Sequence, residues 1–582
     1  MKRLVVVAFI LLAAGGIIFA APAIKNPDTF IYATIGDVVS MDPAVAYDAP
    51  SWSVLAILYD RLLDFKGADL SQFVPKLATT VPTVANGGVS KDGKTYTFTL
   101  RSGVKFSNGY SLTADDVAYS FKRDMITDPD AGPAWVWYQV FLGSGGSRGD
   151  DGKISVAFKD IDAAIQAKGN TVVFKLASPY PAFLSVLAGK WGSIVSKRWV
   201  TEQGGWDGTE ATWQQFNNPA TGKETLFDIA MGTGPYTLVR WDKKVELDFL
   251  RNDTYWGPRP AIKNGVCKIV DDLATRKLML LQGDADVIYV PATNFPEMAN
   301  EKGITIYKNL PSLDTTGAHF NLNINAQDNP AIYSGKLDGN GIPPDFFADK
   351  NVRLGFIYAW DEQAEIKDGF NGNSTDPVTF IPKGLPFKNT KLESKPHDMP
   401  KAKQYFQQAF GGQLWDKGFK FDLLYNSGNL ERETAAKILA ENVMSLNPKF
   451  QIGVRGVEWA EFTDANKNKR VPVLFMGWSP DYPDPDDYAV PYLSSSGYFA
   501  GRQSYKNPTA DDLVSKASVE LDSTKRQAMY YQLQQIWLDD AIAIIFSQPL
   551  RQRFFKDWVK GYYYSPMESQ EFELLPVLSK KY

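Results

Sequence analysis

One short stretch of the chain combines residue types that could bind a ligand without reacting with it. It runs from Phe475 to Tyr488 and contains Trp478, Asp481 and three prolines. Proline fixes the backbone φ and disfavours helix, so the stretch predicts a stiff loop leaving the apolar strand 471–476. A flat indole beside a carboxylate suits a ligand that carries both an apolar group and a positive charge, such as the amino end of a peptide. The alternative interpretation is a surface turn whose acids are merely solvated.

The chain has few of the residues that metal sites, catalytic triads or disulfides need. The chain has two histidines, His319 and His397, which argues against a histidine-rich metal site or a histidine-dependent triad. Cys267 is the lone cysteine, so it has no disulfide partner within the chain, and we interpret it as buried filler. The acids of the loop could instead hold Ca²⁺, although they lack the central Gly and late Glu of a helix-loop-helix calcium site. We expect no metal and no cofactor.

The first residues predict an export signal. Lys2 and Arg3 precede an apolar run over 4–19, and small residues cluster around Ala20 and Ala23. This pattern is typical of a cleaved secretory signal peptide, which we place at 1–20. An uncleaved membrane anchor is the alternative. No cysteine lies there for a lipid anchor, so we expect a periplasmic or secreted protein.

Composition narrows the class of partner. A chain of 582 residues exceeds one core, so two or three domains are expected. With 62 Lys and Arg against 66 Asp and Glu, the basic footprint of a nucleic-acid-binding protein is missing. The 15 Trp and 27 Tyr are more than enough to furnish a binding cleft as well as a core.

Strand and helix patterns are mixed along the whole chain, which predicts the α/β class. Alternation of Thr with Tyr, Phe and Leu over 95–100 indicates a half-buried strand, and Thr113 begins a capping box for the helix after it. Further helices are predicted over Trp52–Leu63, Asn351–Ile366, Glu431–Leu446 and Thr524–Leu538.

Several blocks, read in order, carry a family resemblance. They are Asp92–Arg101, Val104–Gly109, Leu112–Val117, Gly232–Tyr236, Arg251–Trp256 and Asn351–Asp361. As a set they resemble the signature of family 5 extracellular solute-binding proteins, the dipeptide and oligopeptide receptors of ABC transporters. The resemblance covers nearly all of the mature chain. It implies no catalysis: such proteins trap a solute, as monomers, and hand it to a membrane permease.

The resemblance also implies an architecture, that of a two-lobed periplasmic binding protein of type II that closes on its ligand. The expected segments are 24–65, 190–310 and 546–582 for lobe I, 66–189 for an extra subdomain of that lobe, and 311–545 for lobe II. Two strands crossing near Tyr307–Ser312 and Ile545–Gln548 are expected to form the hinge.

The same resemblance assigns the ligand-binding residues. Asp481 matches the position that receives a peptide's α-ammonium, in a loop similar to the family's Gly-Trp-x-x-Asp. Lobe I is expected to present its loop around residue 47 to the ligand. The implied site is Gly477, Trp478, Asp481 and Tyr482 of this loop, Trp459 before it, and Tyr47 and Asp48 of the opposite lobe.

One departure keeps other ligands open. Dipeptide receptors carry an Arg for the peptide's carboxylate near the stretch Leu423–Asn426, where this chain has none and Arg432 comes later. Longer peptides therefore stay possible. An oligosaccharide receptor on the same scaffold is the alternative, favoured by the tryptophans and by Trp135–Tyr138. A secreted glycosidase using paired carboxylates is a remoter one.

Overall fold

The computed structural model describes residues 24–582 except Ala131, Asp150, Thr221 and Ser569, and it leaves out the side chains of Trp459 and Ala460. The expected signal peptide, 1–20, lies outside the described residues. Within the described part of the chain, none of the helices combines the length and hydropathy that crossing a bilayer requires.

The chain up to residue 303 alternates strands and helices. Its strands are β1 (Thr29–Thr34), β2 (Leu63–Lys66), β3 (Asp69–Pro75), β4 (Thr95–Thr99), β5 (Ile165–Lys168), β6 (Thr171–Lys175), β7 (Tyr236–Asp242), β8 (Glu246–Arg251), β9 (Asn264–Ile269) and β10 (Val287–Ile288). Its helices are α1 (Ala49–Leu58), α2 (Ala114–Thr127), α3 (Trp135–Leu142), α4 (Phe158–Ala164), α5 (Phe183–Leu187), α6 (Lys197–Glu202), α7 (Leu273–Gln282) and α8 (Phe295–Met298).

The remainder of the chain continues the alternation. Its strands are β11 (Ile304–Pro311), β12 (Thr315–Phe320), β13 (Ser374–Thr375), β14 (Phe419–Asn426), β15 (Phe450–Val457), β16 (Val473–Trp478), β17 (Ala543–Lys556), β18 (Val559–Lys560) and β19 (Ser579–Lys580). Its helices are α9 (Lys350–Ala359), α10 (Glu362–Ala364), α11 (Met399–Gln408), α12 (Gln413–Lys417), α13 (Leu430–Leu446), α14 (Trp459–Lys467), α15 (Asp486–Leu493), α16 (Tyr498–Arg502), α17 (Pro508–Val519) and α18 (Ser523–Asp540).

The long strand β17 connects the two halves of the molecule. Its first residues pair with β12, and its last residues pair with β10 and β11. The resulting sheet runs β15-β14-β16-β12-β17-β10-β1-β9-β8-β7, with β11 and β13 also bonded to β17. One strand thus belongs to two hydrogen-bonded halves, and the expected boundary at 545/546 falls inside it.

Each half of the sheet has its own core. In lobe I, which carries β1–β10, buried residues such as Tyr32, Trp137 and Phe572 belong to one apolar cluster. In lobe II, which carries β12–β16 and α9–α18, two clusters cover the faces of the sheet, with Phe356 in one and Trp537 in the other. The chain therefore forms two lobes joined by paired strands.

The loop after β16 is shorter than we predicted. Helix α15 begins at Asp486, so the prediction of loop up to Tyr488 is wrong. Proline suits the position before a first helical turn, because the amide hydrogens there need no partner within the helix. Pro485 adopts helical backbone angles at this position, and the side chain of Asp484 accepts the Asp486 N–H at 2.8 Å.

Two predicted helices also end early. The helix predicted over 351–366 stops at Ala359, where Trp360 turns to extended backbone before α10. The helix predicted to Leu63 stops at Leu58, because Leu63 pairs with Pro75 in the β2–β3 hairpin. At Leu63, tertiary pairing overrides local propensity.

Candidate functional site

The binding loop leaves the sheet where β16 lies against β12. Gly477 pairs with Thr316, and a Cβ added to Gly477 would come within 2.8 Å of the Thr315 carbonyl oxygen. Only glycine fits this close approach, and Trp478 follows it as the last residue of β16. The indole of Trp478 packs against Tyr498 and Phe499, with ring centroids 6.0 and 6.1 Å away.

A cavity of about 910 Å³ lies between the lobes at this loop. Lobe II lines it with Gly477, Trp478, Asp481 and Tyr482, and lobe I contributes Tyr47, Trp52 and Trp135 from the opposite side. Its volume is near the upper end of the range found for small-molecule sites. We call this space the cleft cavity.

Phenol groups of lobe I bond directly to carboxylates of lobe II. The Tyr47 hydroxyl donates to Asp481 Oδ1 at 2.6 Å, and it accepts from Trp135 Nε1 at 3.1 Å. Tyr180 donates to Asp486 Oδ2 at 2.8 Å. The structure therefore shows the lobes closed on each other, with tyrosine hydroxyls bridging them.

Tyr482 has a second role that sequence reasoning missed. Its ring is buried within the lobe I apolar cluster although it belongs to the lobe II loop. Its hydroxyl lies 2.7 Å from that of Tyr180 and donates to Asp486 Oδ2 at 3.2 Å. Tyr482 thus lines the cleft cavity and also contributes to the contact between the two lobes.

The acids of the loop are buried rather than solvated. Asp481 is 6 % exposed, and burial raises the pKa of its carboxyl to about 7 against the opposing effect of the Tyr47 bond. Burial, reinforced by the neighbouring Asp481, raises the pKa of Asp487 well above its usual range. Asp487 Oδ2 accepts the Asp481 N–H at 2.9 Å. Burial also raises the pKa of Asp486 to about 6.

Asp484 differs from its neighbours because a cation neutralises it. Arg526 of α18 donates to both of its oxygens, at 2.9 and 2.7 Å. In the part of the chain that the structure describes, no group of three or more His, Cys, Asp or Glu is arranged to hold a metal ion. The geometry therefore gives Asp484 a structural task, whereas Asp481, Asp486 and Asp487 at the cavity form no ion pair with any cation among the described residues.

The remaining predicted residues have different surroundings. Asp48 does not line the cleft cavity in the described structure; its Oδ1 accepts the Ser51 N–H at 2.9 Å and so caps α1. Trp459 is the first residue of α14, but its side chain lies outside the described residues. A role for either in ligand binding stays a prediction.

The structure also places the aromatic stretch Trp135–Tyr138 and Arg432 relative to the cleft cavity. Of the stretch Trp135–Tyr138, Trp135 lines the cleft cavity, whereas Trp137 and Tyr138 are core residues. Arg432, which follows the stretch 423–426 on α13, donates to Asn426 Oδ1 at 2.7 Å. Its Nη2 lies 3.5 Å from the sulfur of Met476, which lines the cavity.

Two lobes that close over a cavity lined by aromatic rings and carboxylates define a solute receptor. A family model described as "Bacterial extracellular solute-binding proteins, family 5 Middle" matches residues 72–500. The chain belongs to this family, and the resemblance drawn from the sequence is confirmed.

Individual relatives agree with that assignment. The chain is 27 % identical to a dipeptide-binding protein of Escherichia coli, over 94 % of each chain. It is 26 % identical to heme-binding protein A of Haemophilus influenzae, over 94 % of this chain and 92 % of the relative. The fold is similar to that of the periplasmic binding protein DppA from Helicobacter pylori in complex with peptide STSA. That match has a TM-score of 0.71 and 22 % identity, over 95 % of this chain and 98 % of the other. The α/β fold of a two-lobed periplasmic binding protein is thereby confirmed.

Proposed function

We propose that this protein is an extracytoplasmic receptor that captures a peptide by its amino end at Asp481 and delivers it to an ABC permease. The observation that carries the proposal is a buried carboxylate on the wall of an interlobe cavity, held by a neutral phenol instead of a cation. A buried carboxylate without a cation gains most from a ligand that brings one. Two of the three relatives named above, the dipeptide-binding protein and the DppA–peptide complex, support peptide as the ligand class.

The charge of the lining indicates which end of a peptide the cavity accepts. Among the described side chains, those lining the cleft cavity include Asp481, Asp486 and Asp487 but no Lys, Arg or His. A peptide's ammonium is favoured there, whereas its carboxylate finds no cation in the wall. We therefore infer that the carboxyl end extends away from these acids.

The size of the cavity favours an oligopeptide. A volume of about 910 Å³ exceeds what two residues fill, and aromatic walls at Trp52, Trp135 and Trp478 can accept apolar side chains of varied shape. The protein would trap the peptide without cleaving it. We further propose that it is exported and acts as a monomer.

An oligosaccharide is the second candidate, because Trp135 and Trp478 both line the cavity and sugar rings stack on indoles. A carboxylate also accepts hydrogen bonds from sugar hydroxyls. The buried Asp481, with its need for a cation, makes peptide the stronger candidate. A glycosidase would require two of these carboxylates to act on the bound ligand.

The test is retention of unlabelled ligands from mixed pools. Peptides of two to six residues and a set of oligosaccharides are dialysed against the protein, and bound material is identified by mass spectrometry. Intact peptides with free amino groups are expected. Retained oligosaccharides and no peptide would overturn the peptide proposal, and cleaved products would overturn the receptor.

A matched pair of variants links the result to the site. Asp481→Asn removes the cavity charge, whereas Asp512→Asn removes an exposed acid of the same lobe that pairs with Lys516 on α17. The first should abolish most retention and the second should leave it unchanged. Equal retention by both would show that the ammonium is bound elsewhere.

A further inference from the structure

Lobe I contains a second cavity that shares no lining residue with the cleft cavity. Its volume is about 160 Å³. Its lining includes the charged residues Asp60, Arg61, Asp64, Lys76, Lys190 and Glu573 together with apolar groups such as Phe65 and Leu574. Charged groups are thus concentrated in a space that the receptor function does not use. We call it the lobe I cavity.

Arg61 is the unusual member of this lining. The residue is 6 % exposed, and its Nη2 donates to Asp64 Oδ2 at 2.7 Å. Its Nε and Nη1 are buried and have no hydrogen-bond partner among the described atoms. Buried charged donors are almost always paired in folded proteins, since leaving one unpaired is costly. Two donors of this guanidinium therefore lack an acceptor, and the residue lines the lobe I cavity.

The neighbouring acid, Asp60, forms no hydrogen bond with Lys76, the second cation of this group. Asp60 accepts hydrogen bonds from three neutral donors, namely Thr233 Oγ1 at 3.0 Å, Tyr255 Oη at 3.2 Å and Trp256 Nε1 at 2.7 Å. Lys76 Nζ lies 3.9 Å from Asp60 Oδ1, beyond hydrogen-bond distance. The side chain of Lys76 is 33 % exposed, so its ammonium is free to turn towards a bound group.

The other ion pair of the lining is complete. Lys190 Nζ lies 3.2 Å from Glu573 Oε2 and donates to the Met567 carbonyl oxygen at 3.0 Å. The spare donors of the cavity are thus concentrated at Arg61 and Lys76, and the same lining contains apolar surface. This combination selects a ligand with a negative, acceptor-only end and a short apolar body.

We propose that the lobe I cavity binds a small aliphatic carboxylate, held by the free guanidinium donors of Arg61 and by Lys76. A water molecule occupies roughly 30 Å³ in the liquid, so the space has room for a body of a few carbon atoms. Because the site lies within one lobe, its occupation does not require the lobes to close. The carboxylate source is either a simple fatty acid or a free amino acid, which share this chemistry.

Calorimetric titration with sodium butyrate tests the proposal, with butyramide as the neutral probe of the same shape and 2-aminobutyrate as the zwitterionic one. Butyrate should bind saturably and at least tenfold more tightly than butyramide. Tighter binding of 2-aminobutyrate than of butyrate would identify an amino acid as the source. Scattering should show no compaction on addition of butyrate.

Variants locate the site. Arg61→Gln should weaken butyrate at least tenfold and Lys76→Gln severalfold, whereas Lys66→Gln, on the exposed side of the same hairpin, and Asp481→Asn, in the cleft cavity, should change nothing. Circular dichroism checks the fold of each variant, and Lys76→Gln decides the matter if Arg61→Gln does not fold. Absence of saturable butyrate binding, equal binding of butyramide, or binding that survives both substitutions would overturn the proposal.

Discussion

Two buried acids, one inside lobe I and one at the cleft cavity, have opposite surroundings. Asp42 is fully buried and takes two hydrogen bonds from Arg123, one of them at 2.7 Å. Asp481 is almost as buried, but its carboxylate accepts a hydrogen bond from the Tyr47 hydroxyl, and its backbone N–H donates to a second carboxylate, Asp487. The first acid has its cation within the fold. The second is placed to receive one from outside, which distinguishes a structural ion pair from a binding site.

The largest expected effect is on stability and comes from breaking the ion pair between Asp42 and Arg123. Arg123→Met should lower the free energy of unfolding by about 3–5 kcal/mol, because it leaves the Asp42 charge buried and unpaired. Urea denaturation measures the loss. The double variant with Asp42→Asn should recover part of it, since the two residues act as one unit. If Arg123→Met were as stable as the wild type, Asp42 would not depend on its cation, and the contrast with Asp481 would fail.

The main effect of Asp481→Asn is expected on peptide binding. We expect peptide affinity to fall by about 2–5 kcal/mol, the usual cost of removing one partner of a buried charge pair. Acetylating the peptide's amino group should cost the wild type a similar amount and the variant far less. Calorimetry on wild type and variant, each with the free and the acetylated peptide, measures the coupling energy. Additive losses of binding free energy would show that Asp481 does not bind the ammonium.

The pH dependence should have opposite signs for stability and binding. Because burial raises the pKa of Asp481 to about 7, the unliganded folded protein holds a proton there that the unfolded chain, with a carboxyl pKa of about 3.9, releases. This group therefore stabilises the fold at low pH, and that contribution is lost as the pH rises through about 7.

An ammonium needs the ionised carboxylate, so peptide affinity should instead rise as the pH increases from 5 to 8, by up to about tenfold per unit below the pKa. Other buried acids titrate in the same range, and the Asp481→Asn variant serves as their baseline. Thermal unfolding and calorimetry at both ends of the range give the two trends. Identical pH profiles for variant and wild type would contradict this assignment.

The smallest expected effect concerns the phenol that holds Asp481 in the closed form. Tyr47→Phe removes the hydrogen bond to Asp481 and the one from Trp135, each worth about 0.5–1.5 kcal/mol, and should make the unliganded protein less compact by scattering. Tyr110→Phe, which removes a surface bond to Glu202, is the control. Unchanged compaction would show that the Tyr47 bond does not contribute to closure.

Local sequence was enough for much of the fold. The capping box at Thr113 forms as expected, and α13 and α18 begin and end within two residues of their predicted limits. These elements depend on periodicity and caps, which neighbouring residues determine. The loop around Trp478 and Asp481 was also recognisable, because its residue types are unusual together. The predicted domain limits and the ligand roles of the site residues stay predictions.

Tertiary structure alone decided which acids of the loop stay without a cation. Asp481 and Asp484 are close in sequence and alike in type. Only Asp484 is bonded by Arg526, which lies 42 residues further along the chain. The insertion of Tyr482 into the opposite lobe and the return of Arg432 to Met476 likewise depend on how distant segments pack. Burial and pairing of charges arise from contacts far apart in the chain, so no local pattern encodes them.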